Sequence, residues 1–129
     1  MQTDERRAAL NEITEKIIGC CYAVSNSLGI GFLEKVYENA LAIEFDMAGL
    51  RFNRQVPIPV RYEGHLVGDF VADIVVAESV LVELKAVKAL EEAHFAQCMN
   101  YLKATGLPLC LLVNFGTPHV HVRRIVNDF

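Results

Sequence analysis

No apolar run in this sequence approaches the ~18 residues that a membrane-spanning helix requires. The N-terminus, Met1-Gln2-Thr3-Asp4-Glu5-Arg6-Arg7, mixes both charge signs and leads into no short apolar core. It does not read as a secretory signal, and the expected location is cytoplasmic. Paired-cysteine spacing is also missing. Cys20 and Cys21 are adjacent, Cys98 and Cys110 are scattered, and neither CxxC nor a zinc spacing occurs. All four are expected to be reduced core residues, since free cysteine packs as a small hydrophobe. Positive charge is short: 12 Lys and Arg face 16 Asp and Glu, for a net charge of −4. That argues against a grip on phosphate by bulk electrostatics and leaves a local basic patch or a metal as the route. Gly29-Ile30-Gly31 lacks the GK[ST] of a phosphate loop and follows a helix, not a strand. There is no linker, repeat or low-complexity tract, so one domain over residues 1–129 is expected.

Present instead is a core-forming chain, 53% hydrophobic. At this size roughly 65–70% of the unfolded surface can be buried. Leu10, Ile13, Ile17, Cys21, Val24 and Leu28 recur at three-and-four spacing, which predicts a first helix over residues 4–28. Gly29 stops it as a left-handed cap. A second helix is read over 32–48, ending at Gly49. Strands follow at 55–62, 65–76 and 79–87. Pro57 and Pro59 mark the first as an edge strand, because proline has no donor for the ladder. A third helix over 90–104 stops at Gly106. Residues 109–115, nearly all apolar, read as a strand buried on both faces, and 119–126 as the last strand. The order α-α-β-β-β-α-β-β predicts an α/β domain with a mixed five-stranded sheet flanked by helices.

Two apolar strands carry ionisable groups: Asp73 in Val71-Ala72-Asp73-Ile74-Val75-Val76, and Glu83 and Lys85 in Val80-Leu81-Val82-Glu83-Leu84-Lys85. A carboxylate in such a strand is costly unless something pairs it. Glu83 and Lys85 share a face by alternation. The hairpin loop decides whether Asp73 joins them. A two-residue loop, Ala77-Glu78, sets Asp73 against Val82 and on the wrong face. A three-residue loop, Ala77-Glu78-Ser79, sets it against Glu83. In that register both carboxylates can reach one hard cation, Mg²⁺ or Mn²⁺. Such an ion polarises a phosphoryl oxygen and acidifies water, and a lysine beside it can stabilise charge developing on phosphate. An ion pair of Lys85 with either carboxylate is the plain structural alternative.

On the third helix His94, Gln97 and Tyr101 fall on one side, and Gln97 and Tyr101 spell QxxxY. They suit contacts to phosphate or metal-bound water, or else are the polar border of an amphipathic helix. On the second helix Leu33, Tyr37, Ala40, Leu41, Glu44 and Ala48 share a broad face. Glu34 lies at its margin and Glu38 further round. One of these glutamates is a candidate third metal ligand.

Gly31-x-x-Glu34-x-x-Tyr37 resembles the motif that names the GxxExxY proteins, small bacterial and archaeal domains. The likeness runs on through Asp73, Glu83-Leu84-Lys85, the His94/Gln97/Tyr101 helix and Leu111-Leu112-Val113-Asn114-Phe115-Gly116, and covers nearly the whole chain. That family looks like a compact branch of the PD-(D/E)xK nuclease-like superfamily. The resemblance implies a restriction-endonuclease-like core and a prokaryotic, divalent-metal-dependent nuclease hydrolysing phosphodiester bonds in DNA. It implies Asp73 and Glu83 as metal ligands, with a helix glutamate as the third (Glu38, or Glu34 of the naming motif one turn earlier), Lys85 as the catalytic lysine, and Gln97 acting beside them. Glu34, Tyr37, Glu38, His94 and Tyr101 would lie near the site. Ala72 stands where the family pattern has proline. The competing expectation is a non-catalytic binding or assembly module on the same fold. A homodimer through the first helix is a further expectation, because so short a chain leaves little to form a substrate groove.

Overall fold

The computed structural model describes residues 2–127, with side chains described from residue 4. Met1, Asp128 and Phe129, the ends of the expected 1–129 domain, lie outside the described residues. Helix α1 spans Gln2–Leu28, α2 Glu34–Met47 and α3 Glu92–Thr105. The strands are β1 Phe52–Tyr62, β2 His65–Val76, β3 Val80–Lys85, β4 Leu109–Asn114 and β5 His121–Val126. This is the expected order, and the five strands form one mixed sheet, β1-β2-β3-β4-β5. Neighbours pair antiparallel except β3 with β4, whose parallel pairing uses α3 as the crossover. No helix of the described residues is long and apolar enough to cross a membrane.

The α1 stripe faces the sheet as its spacing predicts. Ile17, Cys21 and Val24 are buried with Tyr37, Leu41 and Phe45 of α2 against Ile74, Val76, Val80, Val82, Leu84, Leu111 and Val113. On the opposite face Val75, Leu81, Cys110 and Leu112 pack on Cys98, Tyr101 and Leu102 of α3. Alternate residues of β3 and β4 therefore feed two cores, and β4 is buried along its whole length. All four cysteines are free and buried.

Several boundaries differ from the sequence reading, among them those of α2, β1, β3 and β5. Helix α2 begins at Glu34 because Leu33 is extended, with φ −72° and ψ 156°. Strand β1 reaches back to Phe52, which pairs with Val76. Strand β3 ends at Lys85, because Val87 bonds to the Asn114 side chain instead of a strand partner. Strand β5 starts at His121, which pairs with Asn114. The prolines sit on an edge strand as expected. Glu63-Gly64, with φ 51° and 81°, closes the β1–β2 hairpin between Tyr62 and His65. The first half of β2 is exposed on both faces, so this hairpin extends past the packed core.

Candidate functional site

The β2–β3 register is Ile74 with Val82, Val75 with Leu81 and Val76 with Val80. The loop is therefore the three-residue one, Ala77-Glu78-Ser79. Ala77 and Glu78 both hold positive φ, and Ser79 N–H donates to the Val76 carbonyl at 3.0 Å. One step further along, Asp73 stands across from Glu83, where the backbone ladder stops. The side chains take over: Asp73 N–H donates to Glu83 Oε2 and Leu84 N–H donates to Asp73 Oδ2, each at 2.8 Å. Each carboxylate satisfies an amide that the ladder has released, which offsets part of its desolvation.

An irregularity in β1 accompanies this. The ladder pairs Arg54 with Ile74 and Val56 with Ala72, and skips Gln55 opposite Asp73. Gln55 has φ 51°, a left-handed backbone rare for a residue with a side chain. Alternation breaks here. Ile74 belongs to the α1–α2 core, whereas Ala72 and Val75 both belong to the α3 core. Asp73, between Ala72 and Ile74, thus joins the α3 side, where Glu83 and Lys85 follow Leu81 by alternation.

The electrostatics are those of a crowded acidic site. Glu83 is 4% exposed. Burial, with the Asp73 charge next, pushes its carboxyl up to about 8. Burial also raises Asp73, and Glu38 raises it further, while the Leu84 amide, Lys85 and Lys35 act against the rise. Burial and then the fields of Glu83 and Asp73 raise the Tyr101 hydroxyl. Glu34 adds to the field at Glu83. Asp73, Glu83, Lys85, Tyr101, Glu34 and Glu38 therefore share one electrostatic neighbourhood. Gln97 joins it by donating its amide to the Tyr101 hydroxyl at 3.1 Å. Among the described residues the ion pairs are Lys35–Glu38 and Arg54–Glu38. Lys85 is in neither, so the simple ion-pair alternative is not what the structure contains.

Two expected neighbours have other partners. The Tyr37 hydroxyl donates to the Gly29 carbonyl at 2.6 Å and accepts the Phe32 amide, and its ring stacks on Phe115 at 4.5 Å. It pins the α1–α2 connection. His94 Nδ1 accepts the Glu91 N–H at 2.9 Å and completes a capping box at the start of α3. Glu38, 3% exposed, is enclosed by cations and amides: Lys35 Nζ, Arg54 Nε at 2.8 Å and Gln55 Nε2 at 2.8 Å. Its buried charge is thereby satisfied.

Sequence reasoning missed three residues that shape the site. Gln55 gave no signal, because a left-handed backbone at glutamine has no sequence mark. Arg54 is one of many surface cations. Asn114 was findable by the argument applied to Asp73, as a polar side chain in an apolar strand, here 1% exposed. Its amide accepts Val87 N–H and donates to the Val87 carbonyl, both at 3.0 Å, and also accepts Gly116 N–H. Phe115 N–H donates to the Lys85 carbonyl at 2.8 Å. Gly116 is obligatory here, since a Cβ would stand 2.1 Å from the Val87 carbonyl oxygen. This clamp holds the strand end that carries Lys85.

The donor set suits a hard divalent cation. It is oxygen-only, and two like charges in a buried site gain from a cation between them. Each carboxylate is anchored through one oxygen, so the other can coordinate. Among the described residues no group of three or more His, Cys, Asp or Glu is gathered for a metal. The expected third carboxylate is not brought in, because Glu38 is drawn to Arg54, Lys35 and Gln55. Two protein carboxylates still fit magnesium, which commonly keeps waters and substrate phosphate for its remaining positions.

Residues 11–125 match the family model described as PD-(D/E)XK nuclease superfamily. The fold is similar to the crystal structure of SSO0001, with a TM-score of 0.53 at 17% identity. That match covers 97% of this chain and 62% of the other, so this chain spans under two thirds of its neighbour's length. No curated protein matches.

Proposed function

Because this chain belongs to the PD-(D/E)XK nuclease superfamily, we propose that Asp73, Glu83 and Lys85 form a phosphodiester-hydrolysing centre of the GxxExxY type, acting on DNA with Mg²⁺ or Mn²⁺. The observation that carries this reading is the reciprocal anchoring of Asp73 and Glu83 on each other's strand, with Lys85 in no ion pair among the described residues.

Asp73 and Glu83 would hold the cation, which when bound polarises a phosphoryl oxygen and lowers the pKa of water. The chain's own groups do the rest. The amides of Asp73 and Leu84 fix both carboxylates before substrate arrives, so little reorganisation is needed. The Lys85 ammonium stabilises charge that develops on the phosphate. The Gln97 amide donates to the Tyr101 oxygen, which turns the hydroxyl proton outward to a phosphate oxygen. Glu38 acts at one remove, holding Arg54 and Gln55 where β1 bends opposite Asp73.

The deciding experiment is cleavage of single-stranded, duplex and branched DNA, and of RNA, with Mg²⁺ or Mn²⁺. Wild type should cut, and Asp73→Ala, Glu83→Ala and Lys85→Ala should each abolish cutting. Equal activity in all four proteins sinks this mechanism, and no heat of binding with millimolar Mg²⁺ or Mn²⁺ leaves a non-catalytic module on a nuclease fold.

A further inference from the structure

A groove of about 980 Å³ lies between α3 and the outer part of the β1–β2 hairpin. It shares Gln97 and Tyr101 with the acidic centre, so the two are continuous. Its wall carries Phe70, 47% exposed, with its ring centroid 5.8 Å from that of Tyr101. Pro59 adds another flat apolar surface, and Asn100 an amide with both donors and an acceptor. Arg61 and Lys103 line it and, among the described residues, no carboxylate does, in a chain whose net charge is −4.

We propose that this groove binds an unpaired stretch of nucleic acid, seating a base against Phe70 while the backbone passes Arg61 towards Asp73 and Glu83. An aromatic face beside cations and neutral amides suits a base and its phosphates, and suits an acidic or purely apolar ligand poorly. Base faces are accessible only where strands are unpaired, so the groove selects single strands over duplex. The seating of the base stands on the groove alone; the direction of the backbone rests on the nuclease reading.

The test uses the whole 129-residue chain with Glu83→Gln and fluorescein-labelled oligodeoxyuridylate, oligouridylate and duplex, each about twelve nucleotides long. Fluorescence anisotropy should show a single strand bound more tightly than duplex, and the better of the two single strands identifies the sugar. Phe70→Ala should weaken single-strand binding on the order of tenfold, and Phe70→Trp should restore it. Arg61→Ala should lower the salt dependence of binding by about one phosphate contact. If Phe70→Ala disturbs folding, Phe70→Leu keeps the apolar bulk without the ring and gives the same comparison. Unchanged affinity in the ring-deleted variant, or duplex preferred over single strands, overturns the proposal. So does a dimer that Phe70→Ala dissociates without affecting oligonucleotide binding. Wild-type cleavage that ignores Phe70 removes the groove and leaves the nuclease. Binding that needs Phe70, with no cleavage by wild type, removes the nuclease and leaves the groove.

Discussion

Glu83 and Asp73 hold each other's strands: the Asp73 amide donates to Glu83 Oε2, and the Asp73 carboxylate accepts the amide of Leu84, the residue after Glu83. Charge and anchoring can therefore be separated by substitution. Glu83→Gln keeps an oxygen for the Asp73 amide and removes the charge. It should fold as well as wild type at neutral pH and lose at least roughly 10²–10³-fold in cleavage rate. Glu83→Ala should be equally inactive and also less stable by about 1–3 kcal/mol, because a buried amide loses its acceptor. Denaturant titrations beside single-turnover cleavage distinguish the two.

Stability without divalent metal should fall as pH rises. The Glu83 carboxyl sits near 8 in the folded chain against an ordinary value of 4.5. Between these values the folded state holds a proton that the unfolded state has released, so unfolding becomes easier with increasing pH. The stabilising contribution is present in full below 4.5 and lost by about 8. Melting temperatures in chelator should decline across that window, and Glu83→Gln should flatten the decline. Mn²⁺ should raise the melting temperature most at the alkaline end, where the carboxylates are ionised. A flat wild-type profile in chelator would contradict this.

Gly116→Ala should be among the more damaging single-methyl changes in the chain. The added carbon meets the Val87 backbone, and relieving that contact pulls on the Asn114 clamp. A loss of roughly 3 kcal/mol is expected from overpacking and weakened hydrogen bonds. Lys85 activity should drop with it, since its strand end loses its support. Chemical denaturation and cleavage on the same sample provide the check.

Tyr37 and Glu38 adjoin in sequence yet should behave differently. Tyr37→Phe loses the bond to Gly29, costs about 1 kcal/mol and leaves cleavage intact. Glu38→Ala strips Arg54, Gln55 and Lys35 of their common acceptor and should cost about 2–3 kcal/mol. It should lower the cleavage rate while leaving the Mn²⁺ requirement near that of wild type. A large rise in that requirement would make Glu38 a ligand after all.

The centre of the fold was legible because burial leaves a strong mark. Continuous apolar residues identified β4, and prolines identified the edge strand. The sequence left the β2–β3 loop open between two and three residues, and the three-residue loop of the structure is the one that sets Asp73 across from Glu83. Less legible were features set by tertiary context. The backbone of Gln55 follows from a bend shared with β2, and nothing in Gln-Val-Pro declares it. The QxxxY helix was read as one polar side, yet His94 caps the helix while Gln97 and Tyr101 turn to the carboxylates. Helical spacing gives direction around an axis and not the neighbour met there.

The parallel pairing of β3 with β4 gives the centre a schedule of assembly. The bond between Asp73 and Glu83 spans 10 residues of a hairpin, a local contact that closes early. The clamp between Val87 and Asn114 spans 27, and waits for α3 to cross the sheet. The acidic pair can thus meet before the support for Lys85 exists.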